Sequence, residues 1–191
     1  MKITPLSAVG AEVTEVDVTV LTAVQDAQLK AAFAQHGLLI FRDQDLTEAD
    51  HIGLAERWGQ INTNRFFKAH TDYPQIALVD KTPDQIQNIG GDWHTDHSYD
   101  QVPALGSILV AQVLPETGGD TWFASMYRAF DQLSEGLKTL LLTLNAVHSA
   151  KHVFGKQSEY MQVNVSQKRM GRPDLADALP DPIHPVVVRR P

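Results

Sequence analysis

The chain has 191 residues, 43% of them hydrophobic, with a formal net charge of −7, which is enough apolar material for one folded domain with a sizeable core. The acidic balance, with a pI of about 5.5, excludes a nucleic-acid binder, because neutralising phosphates takes a basic surface. No cysteine is present, which excludes disulfides, thiol nucleophiles and Cys-ligated zinc and leaves His, carboxylate or water to hold any metal.

The opening Met1-Lys2-Ile3-Thr4-Pro5 lacks the apolar centre of a signal peptide, and the longest apolar runs fall far short of a membrane span. The expectation is a cytoplasmic protein with no membrane partner. Residues 11–20 alternate apolar and polar and predict a strand. Val24, Leu29, Ala32 and Phe33 recur at helical spacing over 23–36, with Gly37 as the C-cap. Leu38 to Phe41 reads as a short buried strand. Thr47, with Asp50 three residues on, caps a helix that ends near Gly59. Residues 76–80 and 107–111 predict further strands. A polar stretch covers 82–92, and Pro115 to Gly119 makes a turn. A helical region runs from Ser125 to about Asn145, with a break at Ser134 that starts a second helix. Residues 155–182 are polar and give no clear pattern. This arrangement predicts an α+β fold with an antiparallel β-core and flanking helices.

Two His-Thr-Asp triplets occur, at 70–72 and 94–96. The first precedes Tyr73-Pro74 and reads as a hydrogen-bonded loop pair. The second is framed by Trp93 and Tyr99 and followed by Gly118-Gly119-Asp120-Thr121. On an extended strand, residues two apart face the same side, so His94 and Asp96 would set an imidazole nitrogen beside a carboxylate oxygen. That pair supplies two of the three ligands of a 2-His-1-carboxylate iron site, which leaves the metal open for oxygen chemistry.

Asp92 to Asp96, Pro103 to Leu109 and Leu114 to Thr121 together resemble the taurine dioxygenase (TauD/TfdA) family of iron(II)- and 2-oxoglutarate-dependent dioxygenases. Gly37 to Gln44, Ala55 to Gly59 and His184-Pro185-Val186-Val187 extend the resemblance along essentially the whole chain. It implies a double-stranded β-helix, a jelly-roll or cupin-like core, within a single dioxygenase domain over 1–191. It implies His94 and Asp96 as iron(II) ligands and Thr121 as the residue whose hydroxyl binds 2-oxoglutarate. It also implies O₂ as co-substrate, succinate and CO₂ as products, and a homodimer or tetramer. The substrates of the family are small organic anions: sulfonates, sulfate esters and aryloxyalkanoates. Asn64 stands where taurine dioxygenase has a sulfonate-binding His, Phe67 where it has a Tyr, and Gly90 where it has an Asn. With Phe66 and Tyr99, these residues suggest a larger or more apolar pocket than taurine needs. Asn64, Phe67 and Tyr99 are therefore the candidate substrate-binding residues.

The family's second iron-binding His and its 2-oxoglutarate Arg lie after the His184-Pro185 segment, so the expectation is that both fall beyond residue 191. The C-terminal strands would be missing with them, leaving exposed edges and a poorly stable 191-residue piece. His148, His152 and His184 read as packing or surface residues. Two alternatives remain. One is a catalytically incomplete β-core binding protein. The other is a metal-dependent hydrolase, since Asp92-x-His94-x-Asp96-His97 partly resembles the His-x-His-x-Asp-His run of zinc hydrolases, with Asp92 in place of the first His.

Overall fold

The computed structural model describes residues 1–81, 90–159 and 173–188. Most of the polar 82–92 stretch, the middle of the 155–182 region and the Arg189-Arg190 pair lie outside the described residues. Contacts gather the chain into two units, one of residues 1–60 and 109–142, the other of 61–108 and 143–188.

In the first unit, β1 (Lys2–Pro5) pairs antiparallel with β2 (Ala11–Thr14), burying Ala11 and Val13. The strand predicted over 11–20 stops early. Glu15 turns into the left-handed region, φ 56°, and Asp17 then accepts the Thr19 N–H to start a tight helical turn over Val18–Val20. The alternation fails there, since Val18 is buried while Val20, two residues on, is exposed.

Capping chemistry fixes the two longest of the described helices. Thr22 and Gln25 close a capping box on α1 (Ala23–His36), and Gly37 ends it at φ 75°, where a side chain would clash. β3 (Leu39–Phe41) then runs parallel to β2, so the sheet, ordered β1-β2-β3, is mixed rather than antiparallel. Thr47 and Asp50 form the second capping box, at the head of α2 (Glu48–Trp58). Leu29 and Ala32 of α1 and Leu54 of α2 are buried, and Phe33 meets Trp58 edge-on at 5.4 Å. The predicted break at Ser134 is present. Ser125 caps α3 (Met126–Asp131) and Ser134 caps α4 (Glu135–Leu141). The strand predicted over 107–111 is not formed. That segment has no ladder partner among the described residues, and Leu109 is largely exposed.

In the second unit, β4 (Lys68–Ala69) pairs with β5 (Ala77–Leu78), a shorter strand than the predicted 76–80. β6 (Asn145–Val147) pairs antiparallel with β7 (Ile183–Pro185). α5 (Lys151–Phe154) and α6 (Pro173–Ala178) lie between them in sequence. The core forms around Phe66, which is fully buried with Ala150 and Ala176. Phe66 stacks on Phe154, centroids 4.1 Å apart and planes within 6°. Tyr99 presents its edge region to both rings, at 5.6 and 5.8 Å. The described strands are a three-stranded sheet and two ladders, and no described helix is long and apolar enough to cross a membrane.

Lys151 Nζ donates to Asp181 Oδ2 at 2.9 Å. Hydrogen bonds from Lys151 and then Ser149 hold the Asp181 carboxyl below its ordinary 3.8. A depressed carboxylate stabilises the fold above its unfolded pKa, and that contribution is lost as pH falls through the folded pKa. Asp181→Asn should therefore lower stability at neutral pH and flatten the dependence below about pH 4, read by urea unfolding at a series of pH values.

Candidate metal centre

His94 and Asp96 sit on an irregular loop, not on the strand expected for them, and the chain turns at residues 96–99. Their side chains still converge, with His94 Nε2 3.2 Å from Asp96 Oδ1. His94 Nδ1 lies 2.7 Å from the Asp92 carbonyl. A carbonyl can only accept, so Nδ1 carries the proton and Nε2 presents its lone pair when the ring is neutral. A lone pair and a carboxylate oxygen held this close repel unless a proton or a metal cation lies between them. The 3.2 Å separation is near the edge of about 3 Å joining adjacent ligands of an octahedral ion with bonds of about 2.1 Å. The pair therefore fits a His-carboxylate metal site in both chemistry and spacing. Among the described residues no group of three potential ligands is assembled, so the pair has no third candidate ligand among them.

Gly90 approaches the same imidazole. A Cβ there would lie 3.2 Å from His94 Cε1 and 3.7 Å from Nε2, and the backbone φ is +68°. A larger residue would press on Cε1, the ring atom bonded to Nε2.

Four residues after Asp96 comes a buried carboxylate. Asp100 is only 8% exposed. Its oxygens accept from Arg65 Nη2, from Asn62 Nδ2 at 2.9 Å and from His97 Nδ1 at 2.9 Å. The Asp100 N–H closes the turn onto the His97 carbonyl at 3.0 Å, and the Asp100 carbonyl accepts from His184 Nε2 at 3.0 Å. His97 pays for this with a left-handed backbone, φ 56°, a conformation that costs a non-glycine residue about 1–2 kcal/mol. Burial holds the His97 imidazole below the usual histidine range; Asp96 raises it and Arg65 lowers it further. A neutral His97 donating to an Asp100 already charge-paired with Arg65 is consistent with that direction. Burial likewise pushes the Tyr99 phenol up.

The remaining predicted residues divide between the units. Asn64 Oδ1 accepts the N–H groups of Phe66 and Phe67, both at 2.9 Å, so Asn64 builds the turn that delivers Phe66 to the core. Phe67 is half-buried beside it. Tyr99 packs on Phe66 and Phe154. These residues share the second unit with His94 and Asp96, whereas Thr121 belongs to the first. Thr121 is exposed and follows Gly118 and Gly119, both at φ +76°. His70 Nδ1 accepts the Asp72 and Tyr73 N–H groups at 3.2 Å, which is the loop expected for the first triplet. The sequence reading missed Asp100, Asn62 and Arg65. Asp96 in the same turn is also charged, so nothing local marked Asp100 as the buried one, and its charge partner lies 35 residues away.

Residues 2–191 match the profile of the taurine catabolism dioxygenase TauD, TfdA family. The chain belongs to this family. It is 36% identical over 151 residues to the (S)-phenoxypropionate/alpha-ketoglutarate-dioxygenase of Sphingobium herbicidovorans, a match covering 77% of this chain and 53% of that protein. It is 29% identical to the alpha-ketoglutarate-dependent sulfonate dioxygenase of Saccharomyces cerevisiae, covering 78% of this chain and 39% of that protein. The crystal structure of a taurine dioxygenase from Burkholderia xenovorans superposes with a TM-score of 0.69 at 29% identity, over 78% of this chain and 53% of that one. The chain thus shares the fold of that structure over the matched part and spans about half the length of these relatives.

Removing Arg65 would leave a buried carboxylate without its charge partner. Breaking a buried pair costs about 3–5 kcal/mol, and the partial exposure of Arg65 reduces this. Arg65→Met should destabilise the protein by about 1–3 kcal/mol, measured by denaturant unfolding.

Proposed function

We propose that this chain carries the metal-binding part of an iron(II)- and 2-oxoglutarate-dependent dioxygenase that hydroxylates a small organic anion. The observation that carries the reading is the pairing of His94 Nε2 with Asp96 Oδ1 at 3.2 Å, with the Asp92 carbonyl fixing the tautomer that leaves Nε2 able to ligate. Membership of the TauD family supplies the context.

His94 and Asp96 would hold the iron, the first by its lone pair and the second by its charge. Bound iron, 2-oxoglutarate and O₂ would together supply the oxidising power for C–H hydroxylation, with succinate and CO₂ released. Thr121 would donate its hydroxyl to a 2-oxoglutarate carboxylate, and the two glycines before it allow a close backbone approach. Asn64, Phe67 and Tyr99 would shape the substrate side. A site of this kind needs positioning and exclusion of water rather than a general base among the side chains.

Relatives named for phenoxypropionate and sulfonate support an aryloxyalkanoate, sulfonate or sulfate ester as substrate. The finer architecture we propose is a double-stranded β-helix within one dioxygenase domain, acting in the cytoplasm as a homodimer or tetramer. Leu105, Leu109, Val113 and Trp122 are exposed, and a closed β-core would bury such side chains. A metal-free binding role is the second reading, favoured by the lack of a third ligand among the described residues. The hydrolase alternative is weakened because Asp92, His94, Asp96 and His97, all among the described residues, form no group of three potential ligands.

The test uses the longest natural chain that carries these residues. Anaerobic addition of iron(II) and 2-oxoglutarate should give the visible charge-transfer band of a chelated keto acid, absent in His94→Ala and Asp96→Ala. No band in the unsubstituted protein would favour the binding role. Thr121→Ala should retain the band but weaken 2-oxoglutarate binding about tenfold, the loss of one charge-assisted hydrogen bond. Asn64→Ala should raise KM for a phenoxy acid; an unchanged KM would confine Asn64 to its turn.

A further inference from the structure

Each donor atom of the candidate centre is backed by a second group. His94 is held from behind by the Asp92 carbonyl. Asp96 is held by Ser107, whose Oγ donates to Oδ2 at 3.1 Å from 11 residues away. Oδ2 is thereby engaged, and Oδ1 is the oxygen facing His94 Nε2 at 3.2 Å. We propose that Ser107 is a positioning residue for the centre, orienting the Asp96 carboxylate so that it offers a metal one oxygen, not two.

This rests on reading His94 and Asp96 as metal ligands. The terminal torsion of an aspartate is broad, so a carboxylate on an exposed loop rotates unless something holds it. With both oxygens on the metal it would take an extra coordination position, one that a bidentate co-substrate and O₂ need. Groups that orient metal ligands in this way change metal affinity or activity by about 10–100-fold when removed. Asp96 is itself 61% exposed, so the Ser107 hydrogen bond adds little to folding. Stability and metal binding therefore separate cleanly.

The probe is Mn(II) alone, titrated into the longest natural chain and followed by the loss of its free-ion paramagnetic resonance signal. Ser107→Ala should raise the Mn(II) Kd about tenfold with an unchanged unfolding midpoint, and Ser107→Thr, which keeps the hydroxyl, should restore it. Unchanged affinity in Ser107→Ala, alongside lost affinity in His94→Ala, would overturn the inference and leave the metal site standing. A Thr variant as weak as the Ala variant would assign the loss to packing and also overturn it. Unchanged affinity in both Ser107→Ala and His94→Ala would remove the metal site itself.

Discussion

The buried carboxylate of Asp100 is the constraint on which the candidate site depends. A charge so enclosed is tolerated only when paired and hydrogen-bonded. Arg65 supplies the charge, Asn62 and His97 the remaining donors, and the backbone on either side is drawn into the same arrangement. The turn that follows Asp96 is closed by Asp100 N–H on the His97 carbonyl. His184 reaches the Asp100 carbonyl from β7. A loop with no strand to define it thus acquires a fixed shape from one side chain. The left-handed His97 persists because its neighbours over-determine it.

Where structure is set locally, the sequence made it legible. Thr47 with Asp50, Gly37, Ser125 and Ser134 each act within four residues of their own position, and each marks the helix boundary that its chemistry implies. The strands were less legible, because an alternating pattern states which face is apolar but not where pairing ends. Glu15 breaks the alternation by backbone conformation alone, and residues 107–111 have β-like composition without a ladder. At the site, His94 and Asp96 were visible because they are close in sequence, although for a partly wrong reason: a loop, not a strand, aligns them. Arg65, Ser107 and His184 were invisible, since their partners lie 35, 11 and 84 residues away and no local pattern encodes such distances.

The aromatic core clarifies what the candidate substrate residues contribute. Asn64 sets the turn, Phe66 fills the core and Tyr99, 33 residues on, packs against it, so the residues proposed for the substrate side also serve packing. On the proposed reading, substitutions there would couple stability to substrate preference. Divergence among relatives named for phenoxy acids and sulfonates would then require compensating changes in the core, not only in the pocket wall.

The long reach of His184 has a consequence for biosynthesis. Asp100 leaves the ribosome 84 residues before the side chain that binds its carbonyl. At about 5–20 residues per second, the nascent chain waits several seconds with that loop incompletely tethered, and Phe154 also arrives only after Phe66 and Tyr99. Premature capture of metal by a partly formed His94 loop, or association of the waiting apolar rings with a chaperone, would fall within that interval.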